Sequence, residues 1–190
     1  MRKVVGIVGV LSLFVMLAGC ALVEMKKPRP AEAPKTTSAE APMTTPADGH
    51  EIHVVAPHVV DGKVRGPFHH YCKVISPEPI IECLIYESTE SNAKLTEIEY
   101  IVAKTLTRTD LVPLKVWNKN WHDHEQEIAT GRVQVLDLPP DKAKGVADLV
   151  ATTDGIIFHL WPHDEKLPNG KVTIAQSVGH VDRKPEGKKK

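Results

Sequence analysis

The chain has no excess of charge: its 190 residues carry 24 Lys and Arg against 24 Asp and Glu, a formal net charge of zero. Without a basic surplus there is no long-range attraction for a phosphate backbone, so nucleic acid is excluded as a partner. Long apolar runs are also lacking, since the one candidate, Val4 to Leu17, is shorter than the roughly 18 residues that a spanning helix requires. No transmembrane helix is expected to persist. There is no glycine-rich loop of the phosphate-cradling kind, and Ser88, Ser91 and Ser177 lack the flanking glycines of a strand–turn–helix nucleophile elbow. Nucleotide-dependent chemistry and serine hydrolysis therefore find no support. Internal repeats are absent.

What is present begins at the N-terminus, where Arg2 and Lys3 lead into the apolar run and Leu17-Ala18-Gly19-Cys20 ends it. Basic, then apolar, then small is the order of a secretory signal. Its last four residues resemble the lipobox of bacterial lipoproteins. That resemblance implies removal of residues 1–19, with Cys20 acylated as the first mature residue and its acyl chains, palmitate among them, holding the protein to a membrane. The implied location is the bacterial cell envelope, and Ala21 after the cysteine favours the outer membrane, facing the periplasm. Residues 20–60 are expected to be this lipidated N-terminus followed by a disordered Pro/Ala/Thr linker. Pro28, Pro30, Pro34, Pro42 and Pro46 stiffen that segment, and few large side chains are available to bury. Residues 182–190 read as a flexible basic tail. The interval 61–181 is long enough for one core and too short for two.

In that domain HHYCKVIS (His69 to Ser76) and IIECLIYE (Ile80 to Glu87) flank Ser76-Pro77-Glu78-Pro79, whose prolines cannot continue a ladder. A hairpin centred there sets Cys72 opposite Cys83, Lys73 opposite Glu82, Val74 opposite Ile81 and His70 opposite Ile85. Cys72, Val74, Ile81, Cys83 and Ile85 then share the core face, with His70 at its open end. An exported domain meets oxidising conditions, and opposed strand cysteines reach disulfide distance. Against a Cys72–Cys83 bridge, a short hairpin loop gains little from crosslinking and cysteine is a common buried apolar residue, so two reduced thiols are slightly preferred. Further along, Leu95–Ala103 reads as a strand, Thr105–Asn118 as a weak helical pattern broken by Pro113, PPDKAKGVADLVATTDG as a helix, and Gly155–Trp161 as a buried strand. The expected fold is α+β: a mainly antiparallel sheet with two or three packed helices, preceded by the signal peptide and the disordered linker.

The densest chemistry lies in NWHDHEQE, Asn120 to Glu127. On a strand, His122 and His124 project to one face, where both can reach one ion, whereas on a helix they diverge. Trp121, Ile128, Val133 and Val135 around Gly131 favour the strand. A divalent metal such as zinc held by His122 and His124 needs a third ligand, for which Glu127, His70 and His159 are the candidates. The plain alternative is a polar cluster without metal. His69 points opposite to His70 and cannot join the same ion. His50, His53 and His58, in or beside the linker, and His163 and His180, after breaks in the pattern, are left out.

PFHHYCK (Pro67 to Lys73), ECLIYES (Glu82 to Ser88), IEYIVA (Ile98 to Ala103) and WHDHEQEIATG (Trp121 to Gly131) resemble, in order, successive motifs of the oil-body-associated protein family. The resemblance implies that His69, His70, Trp121, His122, His124 and Glu127 belong to a family pattern. It implies no established activity. The expectation is an envelope lipoprotein acting as a binding module through its His/Glu cluster. The rival is a metal-dependent enzyme holding a divalent cation with His122, His124 and Glu127.

Overall fold

The computed structural model describes residues 48–185. The signal segment, Cys20, the linker up to residue 47 and the last five residues of the expected tail lie outside the described residues. The element order is β1 (Ile52–Val60), β2 (Lys63–Ser76), β3 (Ile80–Tyr86), β4 (Leu95–Ala103), α1 (Lys104–Thr107), α2 (Leu114–Asn120), β5 (His122–Asp123), α3 (His124–Ala129), β6 (Gln134–Leu136), α4 (Pro140–Ala151), β7 (Thr153–His159) and β8 (Thr173–Ser177).

Antiparallel pairs run β1–β2, β2–β3, β3–β4, β4–β7, β7–β8 and β8–β1. Six strands therefore close on themselves as a barrel, while β5 adds to β7 and β6 adds to β1. This overturns the expected α+β arrangement of a sheet with packed helices. The described chain is mostly sheet, and its helices are short, α4 being 12 residues and α1 only 4. The reason lies in β1, which falls inside the stretch read as linker. Without β1 the sheet has two open edges, at β2 and β8, and needs helices to cover its core face. With it, the edges pair with one another and the core lies inside.

Ile52–Val60 forms a strand because its apolar side chains fall on one face. Val54, Ala56, His58 and Val60 alternate and are all buried in the barrel. Pro57, which has no N–H to donate, sits where the β1–β2 register shifts between Ala56 and His58. The β2–β3 register is the one read from the sequence, with Cys72 against Cys83, Lys73 against Glu82, Val74 against Ile81 and His70 against Ile85. Cys72, Ile81, Cys83 and Ile85 are buried, but Val74, close to the turn, is half-exposed. Cys72 and Cys83 form a disulfide rather than the slightly preferred pair of thiols. The main apolar cluster joins them to Val60, Phe68, Ile101 and Ile157.

On the outer side of β7 a charged brace ties the helical segment to the sheet. Asp154, fully buried, accepts from Thr107 Oγ1 (2.5 Å), Trp117 Nε1 (2.9 Å) and Arg108, whose Nη2 lies 2.7 Å from Oδ1. The same Arg108 Nη2 donates to Asp123 at 2.8 Å, and Asp123 pairs with Asp154 across β5 and β7. Burial works against the guanidinium charge, but the hydrogen bonds that Arg108 donates to Asp154 and Asp123 outweigh it and raise its pKa. The start of the expected tail is also engaged, since Arg183 N donates to Asn118 Oδ1 at 2.9 Å and Asn118 Nδ2 donates back to the Arg183 carbonyl at 3.0 Å.

The disulfide spans a sequence separation of 11, for which loop-closure entropy gives roughly 2.5–3 kcal/mol. Replacing both cysteines by alanine is expected to lower stability in urea by up to about that amount. A reductant should weaken the parent protein and leave the double variant unchanged.

Candidate metal centre inside the barrel

On β4 the inward-facing residues are Glu97, Glu99, Ile101 and Ala103, so the strand places two carboxylates in the barrel interior. Across the barrel, β1 brings His58 and β2 brings His70, both buried. The NWHDHEQE segment enters from the β7 side, where His122 pairs with Gly155. At Asp123 the chain turns from strand into helix. Its side chain accepts from Glu125 N at 2.9 Å, and Glu125 and Glu127 occupy the acidic first turn that a helix N-terminus favours. The expected strand thus ends after two residues, yet His122, which opens β5, and His124, which opens α3, still converge.

Three donor atoms form a nearly equilateral triangle. His122 Nε2 lies 3.1 Å from Glu99 Oε1, His124 Nε2 lies 3.2 Å from the same oxygen, and the two nitrogens are 3.2 Å apart. Ligands at about 2.0–2.1 Å around a tetrahedral zinc ion stand about 3.3 Å from one another, so these edges already match a coordination shell. Glu127 Oε2, at 3.6 Å from His122 Nε2 and 3.8 Å from His124 Nε2, is the nearest fourth donor. These groups line one side of a cavity of about 20 Å³, shared with His58, His70 and apolar residues such as Val54 and Val133, which has room for one water-sized particle or ion.

Proton bookkeeping points the same way. The Thr153 hydroxyl donates its single hydrogen to the Val150 carbonyl at 2.6 Å, so toward His124 Nδ1, 3.0 Å away, its oxygen accepts. Neutral His124 therefore carries its proton on Nδ1 and turns a bare Nε2 lone pair toward the Glu99 carboxylate. Two lone pairs at that distance repel unless a cation, a proton or a metal ion, lies between them. Gly155 makes the approach feasible. A Cβ there would overlap Glu99 Oε1 and stand 2.5 Å from His122 Nε2.

The neighbouring groups sort into charged and neutral partners. His58 Nδ1 donates to Glu97 Oε2 at 2.5 Å, and its Nε2 donates to His70 Nε2 at 3.1 Å. His70 accepts because its own Nδ1–H donates to the Phe68 carbonyl at 3.1 Å. Burial opposes charge on His58, but Glu97 outweighs it and raises the pKa. His70 is held neutral, its pKa lowered to about 4 by burial and by the adjacent His58. Burial pushes Glu97 and Glu99 upward, yet their imidazole partners win: His58 and His159 lower Glu97 to about 2, and His122 and His124, with protons on the nitrogens that face it, hold Glu99 well below the usual carboxylate range, the place of those protons being what a metal ion would take. Glu127 goes the other way, raised by burial and by the nearby Glu99 charge against the pull of His122.

Of the residues singled out in the sequence, the structure brings His122, His124 and Glu127 to one point, with His70 beside it at 3.7 Å from Glu99 Oε2. His159 does not join them. It lies beyond Glu97, to whose Oε1 its Nδ1 donates at 3.1 Å. Sequence reading missed Glu97, Glu99 and His58. His69 stays outside the barrel against His53, 3.0 Å away.

Residues 44–189 match the family described as protein of unknown function (DUF1264). Among curated proteins, the chain is 35% identical over 112 residues to oil body-associated protein 1B of Arabidopsis thaliana, a match covering 58% of this chain and 45% of the plant protein. It is 33% identical over 107 residues to oil body-associated protein 1A of Zea mays, covering 54% and 42%. Oil body-associated protein 2A of Arabidopsis thaliana is 32% identical over 107 residues, covering 55% and 42%. The chain thus spans under half the length of these relatives. No solved structure matches it.

The neutral state of His70 makes stability fall with acid. Between its ordinary pKa of 6.5 and its folded value of about 4, the unfolded chain binds a proton that the folded chain refuses, so stability is lost as pH drops through this window. With chelator present, the urea midpoint is expected to decline from pH 6.5 to pH 4 and to do so less steeply in His70→Asn. An identical slope in the two proteins would contradict this assignment.

Proposed function

Because the chain belongs to the DUF1264 family of proteins of unknown function, and is similar to oil body-associated proteins over less than half their length, we propose its function from the chemistry of its interior: it is a divalent-cation-binding module. The observation that carries this reading is the triangle of Glu99 Oε1, His122 Nε2 and His124 Nε2, with edges of 3.1–3.2 Å, closed over by buried residues. Two imidazoles and a carboxylate suit zinc and other borderline first-row cations. Glu127 stands where it can complete the shell. Thr153 acts from behind His124, fixing the tautomer that leaves Nε2 free to bind.

A metal-dependent enzyme would use the same ion to activate water, with Glu127, whose raised pKa suits proton transfer, as its acid or base. The space beside the triangle weighs against it. At about 20 Å³ it accepts a water but no organic substrate. Binding is the reading that the geometry favours.

For location we propose that Cys20 carries lipid and holds the domain at the outer membrane of a bacterial envelope, facing the periplasm. The support is the order Leu17-Ala18-Gly19-Cys20 after an apolar run. The oil-body location named for the plant relatives is not carried over. A Cys20→Ala variant is expected to lose labelled palmitate and to leave the membrane fraction, and label retained by the variant would overturn the proposal.

Zinc added to chelator-stripped protein is expected to raise the melting temperature, because an ion bound only to the folded state stabilises it by an amount that grows with the logarithm of its free concentration. Glu99→Gln or His124→Ala should weaken interior binding by more than about 100-fold and Thr153→Val by about 10-fold, the range usual for outer-shell partners. A parent protein whose melting is indifferent to divalent ions would sink the reading. Gly155→Ala is expected to abolish interior binding with no ligand changed.

A further inference from the structure

Glu97 divides its two oxygens between opposite sides of the barrel. Oε2 faces His58 in the interior, while Oε1 accepts from His159 Nδ1–H at 3.1 Å toward the mouth. Neutral His159 then carries its lone pair on Nε2. That nitrogen is buried and has no hydrogen-bond partner among the described residues, in a side chain only 2% exposed. His163 follows at the His-x₃-His spacing common among zinc ligands. Its ring lies 5.2 Å from that of His159 and stacks on Phe68, which sets it over the mouth of the barrel. His163 Nε2 is likewise buried without a partner among the described residues.

Two ring nitrogens withdrawn from water are costly without a partner, and none among the described residues supplies one. A cation does. Glu97, His159 and His163 each bring one donor atom within 4.8 Å of the others. His159 and His163, with Glu97 buried behind them, border a pocket of about 320 Å³ whose walls include Asp61, Asp164 and Glu165. An ion here keeps water in part of its shell and exchanges with solution, whereas the interior ion is enclosed.

We propose that Glu97, His159 and His163 form a second, solvent-facing site for a divalent cation such as zinc at the mouth of the barrel. Its donors are distinct from Glu99, His122 and His124, so it stands whether or not the interior site binds. The two are nevertheless linked, since Glu97 contacts His58, His58 contacts His70, and His70 lies 3.7 Å from Glu99.

The test is zinc stoichiometry by equilibrium dialysis of the purified full chain after stripping with chelator, with circular dichroism as the check on folding. The parent is expected to hold two zinc ions and His163→Ala one, the loss falling on the faster-exchanging ion. His163 lies in a loop, so its removal should leave the barrel intact. Glu99→Gln combined with His124→Ala is expected to keep the mouth ion and to lose it once His163→Ala is added. A parent that holds one ion, lost in His163→Ala, would still support the mouth site while removing the interior one. A stoichiometry that His163→Ala leaves unchanged would overturn the proposal, and visible absorption of bound cobalt(II) identical in parent and His163→Ala would do the same.

Discussion

Two carboxylates with no access to water govern the inside of this barrel. Glu97 and Glu99 are 0% and 2% exposed, and an ionised carboxylate taken out of water costs several kcal/mol unless it is paired and hydrogen-bonded. Each is met by two imidazoles: Glu97 by His58 and His159, Glu99 by His122 and His124. The arrangement fixes which strands must meet, because β1, β4, β7 and the β5–α3 junction each contribute one side of these contacts. As a way of filling a small barrel it is expensive. Well-packed apolar side chains of similar volume would commonly serve stability as well or better. Under the proposed function that cost has a counterpart, since lone pairs turned toward one another are what a cation requires.

Parts of this design were open to reading in the sequence. The β2–β3 register followed from the prolines between Ser76 and Ile80, and the bounds of β4 and the existence of α4 followed from alternation and from paired prolines at a helix start. Glu97 and Glu99 were hidden by the same alternation. On β4 the opposite face carries Ile98, Tyr100 and Val102, so an amphipathic reading turns those inward and the glutamates to solvent, the reverse of what is found. Only closure of the sheet into a ring decides between the faces, and closure depends on pairings far apart in the chain. His58 was lost with β1, since Pro57 and the low-complexity stretch before it made the whole segment look like linker. The switch into α3 left a local trace, an Asp followed by acidic residues, which is a helix-start signal outweighed by the β-branched residues downstream.

The barrel also explains how an imidazole pair from one short segment reaches a carboxylate on a strand that is not its neighbour. β7 lies between them. Most residues at Gly155 would fill the gap with their own Cβ, so its missing side chain acts as a window through which His122 meets Glu99.

The Arg108 brace gives that window a frame. Asp123 sits between His122 and His124 in the chain, and Asp154 sits between Thr153, which orients His124, and Gly155. One guanidinium grips both aspartates from the far side of the sheet. The spacing of the inner donors is thereby set by a clamp that never enters the cavity, much as the jaws of a vice are positioned by a screw outside them. If the inner donors hold a cation as proposed, a change in this clamp alters the fit of the ion with no ligand replaced.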